Sequence, residues 1–287
     1  MPSELFSLFG ATARYATPLL FAASGGAISE RGGIVNIALE GLLLGGAYAS
    51  IAATASSESA LVGIAAALGA GLLLAAIHAL VTIRWKVNQI VSGVAINLLA
   101  SGGTKLLLQV QFHSASNSPR VEAAHLPGGT LGLILLAFAA PFLAHAILEK
   151  TRFGLRLRAA GEHPEAALSL GIKVGSVRAL GVLLSGLFAS LGGVYLAFDI
   201  QQFSANMSNG RGFMALAAVI FGGWRPRRAF LACLLFGGLE AVADRLQAAS
   251  TFFRETPEVV TVLPYVATLV VLATTVRSAR APAALGK

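Results

Sequence analysis

The chain has 287 residues, of which 56% are hydrophobic and only 12% charged, and its formal net charge is +8. Soluble domains contain roughly 45–50% apolar and about 25% charged residues, so this composition excludes an ordinary soluble domain. The mean hydropathy is +0.76, and the apolar residues form long blocks, which is typical of a polytopic membrane protein. The basic residues stand in short clusters between those blocks, which favours membrane-protein loops over a nucleic-acid partner.

In chain order, the apolar blocks predict an all-α polytopic membrane protein with about eight or nine transmembrane helices, including broken or half helices. The predicted spans are 11–29, 34–54, 60–83, 90–110, 131–148, 177–198, 229–244 and 259–276, and the second is expected to be interrupted by LEGLLLGG at 39–46. A crossing needs about twenty residues, so the shorter block 212–223 predicts a half-helix or re-entrant element surrounded by protein.

The positive-inside rule orients these spans, because lysine and arginine are enriched in cytoplasmic loops. The basic clusters lie at 84–86, 150–178, 224–228 and 277–280. Placing them inside predicts an external N-terminus, a cytoplasmic C-terminus, and one transmembrane domain over 1–287 with a cytoplasmic loop at 150–178. The predicted location is a prokaryotic cell membrane, the inner one where there are two.

Two segments show a weak internal sequence similarity. ALEGLLLGG at 38–46 and ALAAVIFGG at 215–223 both have Ala-Leu followed by Gly-Gly at the same spacing. On the predicted topology they run in opposite directions, and broken helices at corresponding places in inverted halves line many transport sites. The alternative is coincidence, since Ala, Leu and Gly are the commonest residues of the chain.

The loop between the fifth and sixth spans contains RAAGEHPEAALSLGIKVGSVR, residues 158–178. Pro164 at a helix start, Glu165 in the first turn and Gly171 at the end predict a short helix. A helix lying on lipid headgroups should carry a face rich in lysine and arginine. This one carries Glu162 and Glu165, with its cations only at the flanks, which favours a protein partner.

Three segments resemble the permeases of ABC importers for branched-chain amino acids, simple sugars and nucleosides. EAALSLG, Glu165–Gly171, matches the E-A-A-x-x-x-G signature of their coupling loop. ERGGIVNIALEGLLLGGAY (30–48) and NGRGFMALAAVIFGGWRP (209–226) are most similar to the nucleoside and simple-sugar branch. The resemblance covers about residues 15–276.

This resemblance implies a permease subunit of an ATP-driven importer for nucleosides, related ribose-containing solutes or simple sugars, working by alternating access. Its implied partners are a cytoplasmic ATPase, a second permease in a heterodimer, an external substrate-binding lipoprotein and membrane lipid. The sequence has no G-x-x-x-x-G-K-[ST] motif, so we expect no enzymatic activity and no cofactor in this chain, with ATP and Mg²⁺ bound by the ATPase. The residues implied in ATPase coupling are Glu162, Pro164, Glu165, Ala166, Ala167 and Gly171.

Three polar residues inside apolar segments are candidates for the solute pathway: Asn36, Glu40 and Asn97. A charge within a membrane is costly unless paired, so Glu40 indicates either a functional role or a pairing with Arg31 or another chain. The two asparagines offer donors and acceptors to a polar solute. Interhelical hydrogen bonding accounts for them equally well.

The polar loop QQFSANMSNGR, residues 201–211, is a candidate docking surface for the external binding protein, through Phe203, Asn206 and Arg211. The alternative is an ordinary solvated loop. The five histidines have no metal-ligand spacing, so no metal site is predicted, and Cys233 is expected to be a small buried residue. Two other classes stay open: an ion-coupled secondary transporter or channel, and an integral-membrane enzyme.

Overall fold

The computed structural model of the chain describes residues 2–124, 129–249 and 280–287, together with Val262 and Val266. Ten α-helices lie in these ranges: α1 Pro2–Arg31, α2 Leu39–Ser57, α3 Ala60–Ala79, α4 Gln89–Phe112, α5 Leu131–Lys150, α6 Arg152–Glu162, α7 Pro164–Ser169, α8 Val174–Asp199, α9 Arg211–Phe221 and α10 Pro226–Ala249. The described residues contain no β-strand, only an isolated antiparallel bridge between Asn117 and Ser204.

In the part of the chain that the structure describes, four helical segments are long and apolar enough to cross a membrane: Ala60–Arg84, Gln89–Phe112, Leu131–Lys150 and Val174–Asp199. They agree within a few residues with the predicted spans 60–83, 90–110, 131–148 and 177–198. The third α-helix ends in a π-helical turn at Leu80–Arg84. The predicted span 259–276 lies outside the described residues, except for Val262 and Val266.

The predicted interruption of the second span at 39–46 is wrong, because those residues are helical in α2. The chain is instead irregular from residue 32 to residue 38, so the predicted start of the span at 34 is wrong as well. Gly33 has φ +94°, a left-handed conformation that stops α1 at Arg31. The predicted half-helix at 212–223 is confirmed as a short element, since α9 has 11 residues. Its length of about 16 Å is half the thickness of the hydrocarbon layer.

The core is built around α1 and α2. The first of these packs against α5, α8, α9 and α10, and the second packs against α3, α4 and α8. Small residues let the helices approach closely, as at Gly46 of α2, which stands against the backbone of Ser190 of α8. Hydroxyl groups inside the core donate to carbonyls of their own helices, as Thr17 does to the Ala13 carbonyl and Ser24 does to the Leu20 carbonyl.

Charged groups collect at one end of the molecule, which we call the basic end. There the end of α1 meets the end of α5 and the helix α6, with Arg31 3.6 Å from Glu149 and Arg158 2.8 Å from Glu149. The residues that follow α8 lie at the opposite end, where the backbone N–H of Val121 donates to the Gln201 carbonyl at 2.8 Å. We call residues 200–210 the α8–α9 loop.

Candidate functional site

The irregular segment 32–38 is held by side chains from three other helices. The Asn36 amide donates to the Ser185 hydroxyl of α8 at 2.8 Å, and Asn36 is fully buried. The Gln89 side chain of α4 accepts from the Val35 N–H at 2.6 Å. His78, also buried, bonds through its two ring nitrogens to the Ser92 hydroxyl and to the Val35 carbonyl. The backbone groups that the helix break frees are therefore satisfied by neighbouring helices.

The N-terminus of α2 is capped by Asn97 from α4. The side-chain carbonyl of Asn97 accepts from the Gly41 N–H at 2.8 Å, and its amide donates to the Ile37 carbonyl at 2.9 Å. Gly41 lies in the first turn of α2, whose N–H groups have no partner inside the helix. Asn97 thus supplies the cap that Ala38, at the N-cap position, has no side chain to provide.

Glu40, in the same first turn of α2, caps the N-terminus of α9 in turn. One carboxylate oxygen accepts from the Ser208 hydroxyl at 2.6 Å and from the Gly210 N–H at 2.8 Å. The other accepts from the Gly212 N–H at 2.7 Å. A carboxylate at a helix N-terminus is stabilised by both the free N–H groups and the helix dipole. These contacts account for the charge of Glu40 within the apolar segment.

Asn97, α2, Glu40 and α9 therefore form one continuous chain of contacts, in which each side chain caps a helix that belongs to another part of the sequence. Arg31, the predicted alternative partner of Glu40, pairs instead with Glu149 and Glu162. The structure brings Asn36, Glu40 and Asn97 together around the break in the second span. Their contacts are interhelical hydrogen bonds, the alternative given above for the two asparagines; a role in the solute pathway stays a prediction.

The internal similarity between 38–46 and 215–223 does not mark structurally equivalent positions. Gly45 and Gly46 lie inside α2, whereas Gly222 and Gly223 follow the last residue of α9, and Gly223 has φ +59°. Glycine serves helix packing in the first segment and helix termination in the second. Coincidence, the alternative stated above, describes the two segments better than an inverted repeat does.

We expect Glu40→Gln to weaken both the fold and transport. A glutamine amide keeps only one acceptor oxygen, so its NH2 group would face either the Gly212 N–H or the Gly210 N–H, both of which now donate to carboxylate oxygens. Loss of a charge-assisted hydrogen bond costs about 1.5–3 kcal/mol, so the melting temperature of purified permease should fall and solute uptake should drop severalfold. Glu122→Gln is the control, because Glu122 is exposed in a short turn. Unchanged melting and uptake in Glu40→Gln would show that the charge of the cap is dispensable.

A second carboxylate, which the sequence analysis missed, ties the other end of α9. Glu30 is 1% exposed, and its Oε2 accepts from the indole N–H of Trp224 at 2.6 Å. Trp224 follows α9 and has φ +57°, a strained conformation for a residue with a side chain. The only sequence signal was a glutamate directly beside an apolar block, and nothing in its neighbourhood pointed to residue 224.

The predicted coupling helix is confirmed as a helix: α7 begins at Pro164, and Gly171, with φ +78°, lies just beyond its end. Ala167 is 2% exposed and faces the permease, packed with Ala160 and Val174. The outer face presents exposed residues, three of which are among the predicted coupling residues. That face consists of Glu165, Ala166, Leu168, Ser169, Leu170 and Gly171.

Leu168 is 58% and Leu170 81% exposed, so the outer face of α7 carries two unpartnered leucines beside a carboxylate. Such a face suits a protein groove better than free solvent. Glu162, in contrast, points back into the permease. It lies 3.8 Å from Arg31, and it accepts from the Ala283 N–H at 3.2 Å. Ala283 belongs to residues 280–287, which we call the C-terminal segment.

The three predicted docking residues of the α8–α9 loop have different surroundings. Phe203 is fully buried and forms an edge-to-face pair with Tyr48, with ring centroids 5.3 Å apart. Its expected exposure is therefore wrong. Arg211 is largely buried and paired with Glu240 at 3.3 Å. Asn206 is exposed and accepts from the Ser101 hydroxyl at 2.8 Å, so it is the one predicted docking residue on the surface.

Within the described ranges, no group of three or more His, Cys, Asp or Glu side chains could hold a metal ion. Cys233 is buried in the core, as expected. The polar groups described above bond to backbone amides and to one another. Apolar helices of spanning length, packed around α2 and the short α9, which both begin inside the protein, define a multi-pass membrane protein.

Comparison with known sequences gives its family. Residues 8–272 match the model of a family described as the permease component of the branched-chain amino acid transport system. This match covers nearly the whole chain, and the chain belongs to that family. No solved structure matches it.

Two relatives are similar over almost their full length. The guanosine ABC transporter permease protein NupQ of Bacillus subtilis is 38% identical, over 96% of this chain and 94% of the relative. The nucleoside ABC transporter permease protein NupC of Lactococcus lactis is also 38% identical, over 95% and 93%. A putative glucose ABC transporter permease protein of Haloferax volcanii, TsgC13, is 35% identical, over 85% and 78%.

Proposed function

We propose that this chain is the membrane subunit of an ABC importer for nucleosides, and that α7 transmits the work of a separate ATPase to it. The observation that carries the proposal is the exposed face of α7, which the permease itself leaves without a partner. The nucleoside and guanosine permeases named above, with their near full-length similarity, support the choice of solute.

The proposed orientation places the basic end in the cytoplasm, with the N-terminus outside and the C-terminus inside. The positive-inside rule supports this choice, since Arg31, Arg158 and the arginines at 225–228 stand at that end. The α8–α9 loop then faces outward, where Asn206 would meet a substrate-binding lipoprotein. The membrane is the inner membrane of a prokaryotic cell.

In the proposed cycle, the binding protein delivers a nucleoside from outside, and ATP binding to the ATPase closes its dimer. The movement reaches the permease through Glu165, Ala166 and Leu168 on α7 and through Leu170 directly after it. A second, different permease completes the pathway, and ATP and Mg²⁺ reside in the ATPase. Asn36, Glu40 and Asn97 hold the broken helix beside the pathway, so the solute is selected mainly by the binding protein.

Co-purification from native membranes in a mild detergent tests this proposal directly. We expect an ATPase, a second permease and a lipid-anchored binding protein to accompany the chain, and a nucleoside to elute from the binding protein. A permease that purifies alone and moves solute after ATP depletion, with the ion gradient intact, would make it a secondary transporter. A different solute on the binding protein would overturn only the assignment of nucleosides.

A further inference from the structure

A cavity of about 870 Å³ opens at the basic end. It lies between the end of α1, the end of α9, the first turns of α10 and the C-terminal segment. One part of its wall is cationic, with four arginines and a single glutamate: Arg31, Arg225, Arg228, Arg280 and Glu162. The other part is apolar and includes Phe221, Leu231, Ala232, Leu235 and Phe236.

A second cavity of about 520 Å³ lies beside the first and shares Arg31, Arg225 and Arg228 with it. Its remaining wall adds Arg158 and Arg227 and one glutamate, Glu149, together with His145 and Pro226. Five arginines, from α1, α6, α10 and the residue before α10, thus line a space that contains one carboxylate, which α5 supplies. Like charges held this close repel one another, and an anion placed among them would be stabilised.

The arginines divide into two groups by their partners. Arg31 and Arg158 are engaged by Glu149, at 3.6 and 2.8 Å. Arg225 and Arg228, at the shared rim of the two cavities, are exposed. They form no ion pair with any other residue that the structure describes. The rim therefore carries positive charge that the described protein does not neutralise.

The apolar wall continues from this rim along α10. Leu231 and Leu235 are 65% and 42% exposed, and they lie one helical turn apart on the same face. Arg228 is within one turn of Leu231, so the cationic group stands directly above the apolar face. A water-soluble anion would use only the upper, charged part of this site. A molecule with an anionic head and an acyl chain would use both parts.

We propose that the two cavities form a binding site for one anionic phospholipid of the leaflet at the basic end. Its phosphate lies between Arg225 and Arg228, and an acyl chain lies along Leu231 and Leu235. Basic pockets between transmembrane helices are a known way of holding anionic headgroups. The site joins the end of α1, the start of α10 and α6, which leads into α7, so the bound lipid stabilises the frame that carries α7.

The test uses the intact chain, purified with its companions and reconstituted in nanodiscs of phosphatidylcholine with or without phosphatidylglycerol. Native mass spectrometry counts retained phosphatidylglycerol, and titration gives its affinity. Each surface cation contributes roughly fivefold, so Arg225→Gln with Arg228→Gln should weaken phosphatidylglycerol binding about 30-fold. The matched control is Arg84→Gln with Lys86→Gln, which removes the same charge from an exposed basic cluster outside both cavities; it should change affinity less than twofold.

A second variant keeps the charges and tests the apolar half of the site. Leu231→Ser should reduce retention of phosphatidylglycerol severalfold, and glycerol phosphate at millimolar concentration should not displace the lipid. Equal loss of affinity in the Arg84 and Lys86 control would mean diffuse surface charge and no site. Displacement by glycerol phosphate would mean a small-anion site. Equal binding of phosphatidylcholine would remove the role of the arginines.

Discussion

Nucleoside uptake is expected to fall at least tenfold when Glu165 is replaced by lysine, while the permease still folds and inserts. Glu165 is exposed on α7 and forms no ion pair within the described structure, so its reversal leaves internal contacts intact. The change places a cation in the first turn of a helix, which costs about 0.3–1 kcal/mol. Like charges placed opposite one another across an interface cost several kcal/mol, so the expected effect on coupling exceeds the effect on the fold.

Three measurements separate these effects: solute uptake, the amount of permease in the membrane, and the ATPase that co-purifies with it. Glu122→Lys is the matched control, because Glu122 is also an exposed glutamate near a helical turn but stands far from α7. Gly171→Leu should behave like Glu165→Lys, since φ at Gly171 is +78° and a side chain there strains the end of the coupling segment. Normal uptake in both variants would exclude α7 as the coupling element.

Gly212→Ala is expected to disrupt the centre of the fold. A Cβ atom at residue 212 would collide with the backbone of Glu40 and would lie 2.8 Å from the Leu39 carbonyl carbon. Backbone atoms at the starts of two helices cannot rotate away, so α2 and α9 must separate. Separation also breaks the Gly212 N–H contact with the carboxylate, which adds about 1.5–3 kcal/mol to an overpacking cost of about 1–3 kcal/mol.

We expect this variant to melt well below the unmodified protein and to lose uptake. Gly69→Ala is the matched control, because an added Cβ at residue 69 of α3 meets no atom within 4 Å. Fluorescence-detected size-exclusion chromatography after heating, with uptake in parallel, would measure both effects. A Gly212→Ala protein as stable as Gly69→Ala would mean that α2 and α9 can move apart without loss.

The sequence was sufficient for those features that depend on local composition. Long apolar blocks located four spans to within a few residues, and the Pro-Glu start with a trailing glycine located α7. The apolar block that contains α9 is also too short for a full span, and this length was sufficient to predict a short element there. The spans and helix ends depend on residues that are consecutive in the chain, so hydrophobic periodicity and helix-terminating residues indicate them directly.

The contacts that organise the centre could not be found in this way. Glu40 meets residues about 170 positions away, and Trp224 meets Glu30 across 194 positions. An apolar window also hid the irregular stretch before α2, because Val, Ile and Ala there read as a continuing span. Phe203 shows the converse: a polar loop suggested exposure, whereas its aromatic ring is packed against Tyr48.

Both ends of α9 are hydrogen-bonded to the two helix ends that flank the break between α1 and α2. Glu40 accepts a hydrogen bond from the first turn of α9, and Glu30 accepts one from Trp224, which follows the last turn. Two carboxylates ten positions apart therefore hold both ends of a helix of 11 residues. Because both of its ends are held in this way, we expect α9 to move together with the end of α1 and the start of α2 as one rigid unit. In the proposed transport cycle, we therefore expect the chain to bend elsewhere, in the α8–α9 loop or along α10.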